Sequence, residues 1–549
     1  MTDIRNSGQT SAGIPLENPP DDQTGSDYSI GQDNIEGKFG PIGFDIHNPV
    51  FAVSALTVIA FVAYTLIMPE QANSVFSLLF STVTKSFDWF FISAADIFVI
   101  LCLVIVISPY GKIRLGGREA KPDFSYLSWF SMLFAAGMGI GLMFYGVSEP
   151  LSHFSSSLGG TAVGADGIRT DWAPLGAATS QEEAIRLGMA ASIFHWALHP
   201  WAIYAVVALS LAFFSYNKGL PLTIRSAFYP IFGERVWGWP GHIIDIVAVF
   251  ATLFGLATSL GLGAIQANSG FNKLFDMPID TTWQVILIVG ITAIALFSVV
   301  RGLEAGVKLL SEINMGIAAL LILFVLIAGP TLFLLPDILN FLGAYLQYLP
   351  ALSNPVGRED VNFMQGWTSF YWAWWISWSP FVGMFIARVS RGRTVREFLI
   401  SVLLIPSLVC VLWMSIFGGA AISQVARDGY TAVTEAALPV QLFTMLDALP
   451  LASITSFIGI VLVIVFFVTS SDSGSLVIDT IASGGKVDAP IPQRVFWCLF
   501  EGLIAIVLLL SAGGLKSLQS MVISTGLLFT VVLLVMCVSI WRGLANEPR

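Results

Sequence analysis

The sequence predicts an all-α polytopic membrane protein with about twelve transmembrane helices. Only 11% of the 549 residues are charged, whereas soluble domains carry about a quarter. Hydrophobic residues make up 55% of the chain and fall in long blocks, such as Val50–Met68, Val285–Val300 and Val522–Ile540. A bilayer core of about 30 Å needs about 20 apolar residues per helix, and these blocks reach or approach that length. They do not alternate in hydrophobicity, which excludes the strands of a transmembrane β-barrel.

The segment before the first apolar block has a different composition. Residues 1–48 are rich in Gly, Pro, Asp and Ser and lack the basic start and apolar core of a signal peptide, so they predict a disordered acidic cytoplasmic tail. The spans predicted after it are 49–68, 88–108, 124–146, 185–214, 240–266, 282–300, 308–335, 365–387, 398–418, 452–480, 495–512 and 518–541. A short cytoplasmic tail over 542–549 ends the chain.

Basic residues are distributed unevenly between the two sides of these spans. Most of the 26 Lys and Arg residues fall in segments on the same side as the N-terminus. Because cytoplasmic loops carry an excess of Lys and Arg, we expect both termini in the cytoplasm and the protein in a bacterial inner membrane.

Several function classes are excluded. The four cysteines lie in apolar spans, which indicates neither a disulfide framework nor a metal site. No GxxxxGK[ST] loop occurs, so nothing indicates direct use of ATP, and no connection is long enough for a soluble catalytic domain. We expect neither an enzyme, nor an organic cofactor, nor a nucleic-acid partner.

The third span carries glycines at alternate positions, Gly137, Gly139 and Gly141. Each weakens a helix by about 1 kcal/mol relative to Ala. A broken membrane helix frees backbone N–H and C=O groups that must line a cavity or bind a ligand. Small residues also allow close helix packing, and the glycines alone leave both interpretations open.

Aromatic residues crowd the middle of the fourth and eighth spans, in 195–204 and 371–378. Tryptophans usually mark the membrane interface, which does not fit this central position. A cage of aromatic faces suits a cation without N–H groups, because the ring quadrupoles attract it without hydrogen bonds. A bulky packing core is the alternative. His195 and His199 share a helix face at metal-ligand spacing, but buried hydrogen bonding is favoured over a metal, and Pro200 predicts a kink.

The tenth span contains a polar run, Thr469–Ser475, inside a long apolar helix. Hydroxyls together with backbone carbonyls form a hard oxygen site that fits a small cation. Hydroxyls that bond back to their own helix are the alternative.

Together these segments resemble the betaine/choline/carnitine transporter family. The matching stretches are GMGIGLMFYGVSEP at 137–150, HWALHPWAIY at 195–204, YWAWWISWSPFVGMFIARVSRGRTVREF at 371–398 and TSSDSGS at 469–475. Their order and spacing match the family across nearly all of 124–540, and the combination is far more specific than any single motif.

The resemblance implies a leucine-transporter-type fold. Two peripheral helices over 49–108 would precede two inverted five-helix repeats, 124–335 and 365–541, and the chains would form homotrimers among membrane lipids. It also implies an aromatic cage formed by Trp196, Trp201, Tyr204 and Trp375, with Trp374 and Trp378 nearby. The substrate would further contact Gly137, Met138, Gly139 and Gly141.

The resemblance also implies sodium as the coupling ion. The main sodium site maps onto Ala136, Met138, Phe466, Thr469 and Ser470. A second site maps onto Thr252 and Phe381, but Leu256 replaces its second threonine and offers no side-chain oxygen.

We therefore expect sodium-coupled import of a small methylated onium osmolyte, glycine betaine or dimethylsulfoniopropionate, by alternating access. The alternatives are choline uptake, ion-independent exchange of carnitine or betaine, and a membrane sensor or channel that does not transport. A channel needs a polar pore and a sensor needs an output domain, and the sequence shows neither.

Overall fold

A computed structural model describes residues 26, 28–40, 42–137, 139–301 and 304–547. Helices dominate it, as predicted. Those of seven or more residues, numbered in chain order, are α1 (Val50–Ile67), α2 (Pro69–Ile107), α3 (Tyr126–Gly137), α4 (Ile140–Gly159), α5 (Gln181–Trp196), α6 (Leu198–Tyr216), α7 (Trp239–Phe275), α8 (Thr281–Arg301), α9 (Glu304–Ala328), α10 (Thr331–Leu352), α11 (Ser369–Val389), α12 (Val395–Trp413), α13 (Gly419–Ala426), α14 (Gln441–Asp447), α15 (Ala452–Ala482), α16 (Ile491–Leu510) and α17 (Leu515–Ala545).

Shorter elements complete the described chain. Helical turns lie at Pro109–Lys112, Arg225–Phe228, Tyr229–Phe232, Gly233–Trp237, Val361–Phe363, Ala432–Glu435 and Leu438–Val440. Wider, π-helical turns at Met364–Thr368 and Met414–Gly418 precede α11 and follow α12.

Eleven of the helical segments are long and apolar enough to cross a membrane, and the bent pair α3–α4 would be a twelfth. The axes of α3 and α4 differ by 64°. The glycine-rich third span is therefore broken rather than continuous. The fourth span also breaks, at Ala197 between α5 and α6. Pro200 explains this, because its ring and missing N–H disfavour a helical turn that includes Trp196.

Two helices depart from the predicted spans. The helix α10 qualifies as a candidate span by length and composition, although most of it was expected in an outside connection. The predicted eighth span forms α11, but α11 is not among the apolar candidates, because its tryptophans, serines and Pro380 lower the hydropathy. It is nevertheless enclosed by α6, α7 and α17. A Cβ on Gly383 of α11 would lie 2.7 Å from Val207 of α6, so this contact requires glycine.

The prediction of disorder in the tail is wrong for Asn34–Phe39 and Ile42–His47. Strands β1 (Asn34–Phe39) and β2 (Ile42–His47) pair as an antiparallel hairpin, with Asn34 opposite His47. The hairpin is fixed by a distant loop: Lys486 Nζ lies 2.7 Å from Glu36 Oε1 and 2.6 Å from Asp45 Oδ2. Residues 1–25, 27 and 41 of the tail lie outside the described residues. The inverted repeat and the domain boundaries remain predictions.

Candidate functional site: an aromatic cage

One cavity collects most of the predicted substrate residues. Trp196 is the last residue of α5, Trp201 and Tyr204 lie in the first two turns of α6, and α11 contributes three more tryptophans. The described lining residues are Ala136, Gly139, Ile140, Gly141, Leu142, Trp196, Trp201, Tyr204, Ser259, Trp374, Trp375, Trp378 and Cys410. Gly137 ends α3, and Met138 lies outside the described residues.

Several pairs of rings around the cavity stand at nearly right angles to each other, whereas Trp374 and Trp375 are nearly parallel, at 20°. Trp375 meets Trp196 with centroids 4.9 Å apart and an interplanar angle of 83°. It meets Tyr204 at 5.8 Å and 88°. Trp201 and Tyr204 repeat this arrangement at 5.3 Å and 79°. Aromatic rings therefore enclose the cavity from several directions, as recognition of a compact cation requires.

Hydrogen bonds fix three of the indoles. Trp375 Nε1 donates to the backbone carbonyl of His195 over 2.8 Å, and Trp374 Nε1 donates to Ser259 Oγ over 3.1 Å. Trp196 Nε1 donates to Glu149 Oε2 over 2.7 Å. The ring orientations are therefore set by partners outside the cage.

The residues that line the cavity also carry hydrogen-bond donors. Tyr204 OH and Trp378 Nε1 are buried and have no hydrogen-bond partner in the described part of the chain. The N-terminus of α4 lies at the same cavity, and its Gly139 N-cap supplies no side-chain acceptor. The first N–H groups of a helix lack intrahelical partners and carry partial positive charge.

Gly141 brings α4 against the rings. A Cβ at this position would lie 2.7 Å from Trp196 Cη2 and 2.8 Å from Trp374 Cη2. Only glycine allows the first turn of α4 to approach the cage this closely.

Glu149, which no sequence pattern singled out, accepts or shares more hydrogen bonds than any other polar residue near the cage. It is buried, and its carboxylate contacts His195 Nδ1 at 2.6 Å and His153 Nε2 at 3.2 Å. Glu149 lies three residues beyond the predicted third span, so it did not stand out as an acid inside the membrane; the structure places it within α4. His195 Nε2 also lies 3.0 Å from Thr368 Oγ1, whereas His199 Nε2 pairs with Asp96 Oδ1 at 2.9 Å. The two histidines of the fourth span therefore have separate hydrogen-bond partners. Glu149 and His153 lie beside His195 and, together with it, are close enough to hold a metal ion, which the sequence did not reveal.

Most of the predicted sodium residues that the structure describes lie outside the lining of the cavity. Ala136 lines the cavity, whereas Phe466, Thr469 and Ser470 do not. Thr469 Oγ1 donates back to its own helix, 2.9 Å from the Val465 carbonyl. Donation leaves the oxygen lone pairs available to a cation.

The region of the second predicted sodium site is largely apolar. Thr252 Oγ1 donates to the Ala248 carbonyl over 2.8 Å. Phe381 packs against Trp378 with centroids 5.4 Å apart. The Leu256 side chain fills the space beside Gly474, where an added Cβ would lie 2.3 Å from Leu256 Cδ1. At position 256 the side chain is therefore aliphatic, whereas the family resemblance implies a threonine hydroxyl there for a second sodium site.

A bundle of apolar spans with a broken helix and an aromatic-lined cavity between its helices defines a polytopic membrane transporter. The chain belongs to the BCCT family, the betaine/carnitine/choline family of transporters, whose family model matches residues 49–549. This confirms the resemblance drawn from the motifs.

Curated relatives from bacteria agree with that assignment. The chain is 63% identical over 525 residues to a glycine betaine/proline/choline transporter of Vibrio parahaemolyticus, covering 95% of each chain. It is 53% identical over 533 residues to glycine betaine transporter 1 of the same organism, covering 95% of this chain and 98% of the relative. A glycine betaine transporter of Bacillus subtilis is 42% identical over 507 residues, which cover 92% of this chain and 95% of the relative.

Proposed function

We propose that the protein imports a small zwitterionic onium osmolyte, glycine betaine or dimethylsulfoniopropionate, into the cytoplasm by sodium-coupled alternating access. The observation that carries this proposal is a single cavity with aromatic walls and unpaired hydrogen-bond donors. These two features match the two ends of the substrate.

The methylated head of such an osmolyte cannot donate an N–H hydrogen bond. It binds best to π-faces in a site without water, where a cation–π contact contributes about 2 kcal/mol or more. Trp196, Tyr204 and Trp375 surround the cavity at nearly right angles and supply such faces. No Lys or Arg is among the described lining residues, so no basic side chain competes with the substrate cation.

The carboxylate of the osmolyte needs donors. Tyr204 OH and Trp378 Nε1 are buried donors without partners among the described residues, and the N-terminus of α4 adds backbone N–H groups. Leaving a buried donor unpaired costs about 1–3 kcal/mol. A ligand with a carboxylate removes this cost by accepting hydrogen bonds from the donors, and it therefore binds more tightly than a ligand without a carboxylate. This favours a zwitterion over choline.

Choline remains the second candidate, because the relative with 63% identity is named a glycine betaine/proline/choline transporter. The cage serves its trimethylammonium head equally well. Its hydroxyl can satisfy only part of the donor set, so we expect it to bind more weakly than glycine betaine.

For the coupling ion we propose one Na⁺ held by carbonyl oxygens near Ala136 and Met138 together with Phe466, Thr469 and Ser470. A second site at Thr252 and Phe381 is not favoured, because Leu256 packs where a further oxygen would be needed. We place the protein in the bacterial inner membrane as a homotrimer with both termini in the cytoplasm. Ion-independent exchange is less favoured because α7 lacks Lys and Arg through its middle.

A matched pair of ligands tests the proposed recognition. Glycine betaine and 3,3-dimethylbutyrate have the same shape, but carbon replaces the charged nitrogen in the second. Titration calorimetry on purified protein in saturating NaCl should show binding of glycine betaine and at least about thirtyfold weaker binding of its neutral-headed analogue. Equal affinities would mean that the cavity does not recognise a cation.

A further inference from the structure

One buried carboxylate stands behind the cage without lining it. Glu149 lies in α4, is 0% exposed and is not among the residues around the cavity. Both of its oxygens are used. Oε2 accepts from Trp196 Nε1 at 2.7 Å and from Tyr371 OH at 2.5 Å, while Oε1 meets His195 Nδ1 and His153 Nε2.

The partners of Glu149 favour its ionised form. An indole N–H can only donate, and the phenol and the imidazoles can donate as well. Four groups that can donate therefore surround the two carboxylate oxygens of Glu149. These oxygens accept best when the carboxyl group is ionised, because hydrogen bonds to an ionised group are about twice as strong as those between neutral groups. The arrangement stabilises a carboxylate to which no Lys or Arg of the described residues makes a hydrogen bond or ion pair.

These contacts connect Glu149 to both cage-bearing elements. Trp196 is itself a cage wall at the end of α5. Tyr371 lies one helical turn before Trp375 on α11, and their rings are nearly parallel, with an interplanar angle of 19°. His195, held by Glu149, provides the backbone carbonyl that accepts from Trp375 Nε1 at 2.8 Å.

We propose that Glu149 is a positioning residue for the aromatic cage, and that its negative charge strengthens substrate binding through Trp196. The hydrogen bond from Nε1 fixes the plane of the indole. It also draws positive charge toward the N–H and leaves the ring face more negative, which strengthens attraction of an onium head. This role of Glu149 rests on the proposed function. Glu149 would raise the affinity for the substrate without contacting the substrate itself.

Glu149→Gln tests this role, because the amide keeps the shape and one accepting oxygen but carries no charge. Calorimetric titration with glycine betaine in saturating NaCl should give a dissociation constant raised about tenfold, as expected for replacing a hydrogen bond to a charge by a neutral one. Glu501→Gln is the matched control. Glu501 is also 0% exposed and accepts from the Ser471 hydroxyl, but it contacts no cage residue. The affinity of the Glu501→Gln variant for glycine betaine should stay within about twofold of wild type.

A double-mutant cycle separates positioning from a general structural effect. If Glu149 acts through the Trp196 N–H, Glu149→Gln should lose most of its effect in a Trp196→Phe background, since phenylalanine has no N–H to donate. The same fold-change in both backgrounds would overturn the proposal. An unchanged affinity in Glu149→Gln itself would overturn it as well.

Tyr371→Phe keeps the inference testable if Glu149→Gln does not fold. It removes one donor to the carboxylate and does not alter a lining residue. We expect affinity to fall about threefold, and wild-type affinity in this variant would contradict the proposal. Failure of the proposed function is distinguishable, because wild-type protein would then show no binding of glycine betaine at all.

Discussion

The indole N–H of Trp375 donates a 2.8 Å hydrogen bond to the backbone carbonyl of His195. This contact joins α11 to the last turn of α5 and orients the ring that meets both Trp196 and Tyr204 edge-on. Trp375 therefore contacts cage residues of both α5 and α6. Its replacement should weaken substrate binding more than replacement of a buried tryptophan outside the cage.

Trp375→Leu should raise the dissociation constant for glycine betaine about thirtyfold, because a desolvated cation–π contact contributes about 2 kcal/mol or more. Intrinsic tryptophan fluorescence can follow the titration. Trp372→Phe is the matched control, since Trp372 lies on the same helix, is fully buried and stacks on His199 away from the cavity. If Trp375→Leu binds within about twofold of wild type, the cage is misplaced.

Gly141→Ala should narrow the cage from the side of α4. Its Cβ would approach Trp196 Cη2 and Trp374 Cη2 to 2.7 and 2.8 Å, so the rings must move. Overpacking of this kind costs about 1–3 kcal/mol, and we expect glycine betaine affinity to fall about tenfold or more.

Gly139→Ala provides the comparison for that change. Gly139 lines the same cavity, but a Cβ there would meet no atom within 4 Å, so its effect should be much smaller. Equal losses in the two variants would show that contact with the rings is not the cause.

Thr469→Ala combined with Ser470→Ala should raise the sodium concentration for half-maximal uptake by about tenfold or more. Removing oxygen ligands leaves the cost of dehydrating Na⁺ unchanged. Binding of glycine betaine at saturating sodium should suffer less. Thr480→Ala is the control, because Thr480 lies on the same helix and its hydroxyl donates to the Leu476 carbonyl in the same way. A sodium dependence equal to that of wild type would remove these hydroxyls from the ion site.

Docking of the N-terminal hairpin should weaken in acid. Burial, together with the neighbouring Arg225 guanidinium, lowers the pKa of His47 from 6.5 to about 3. Neutral His47 Nε2 accepts from Arg225 at 3.1 Å. Released His47 binds a proton below pH about 6.5 and docked His47 does not, so docking is strongest above that pH and weakens progressively as pH falls toward about 3.

Hydrogen exchange of residues 34–47 between pH 7 and 5, corrected for the intrinsic exchange rates, measures this effect. His47→Gln keeps an acceptor for Arg225 but does not titrate, so the pH dependence of protection should flatten in that variant. Protection that varies with pH equally in both proteins would assign the effect to other groups.

Local patterns in the sequence predicted most of the transmembrane helices and the aromatic residues that meet in the cage. Each of these features depends on a short window of composition. The position of the break at Ala197 follows from Pro200 only once helical hydrogen bonding is considered. The eighth span was predicted, although its tryptophans, serines and Pro380 lower its hydropathy. Such polarity is tolerated because other helices surround α11.

Long-range partners explain what the sequence did not predict. The hairpin at 34–47 depends on Lys486, and no local pattern reveals a contact across that separation. The role of Glu149 depends on partners from α5 and α11 that converge only in the folded protein. Backbone carbonyls, which would supply part of the sodium site, carry no sequence signal.

Uptake of labelled glycine betaine into proteoliposomes that contain the purified protein tests the central claim most directly. With an inward sodium gradient, the account predicts accumulation inside above the external concentration, and no accumulation when potassium replaces sodium. Trp375→Leu should reduce the initial rate at low substrate. Accumulation no greater than in protein-free liposomes, or equal accumulation under sodium and potassium gradients, would contradict the account.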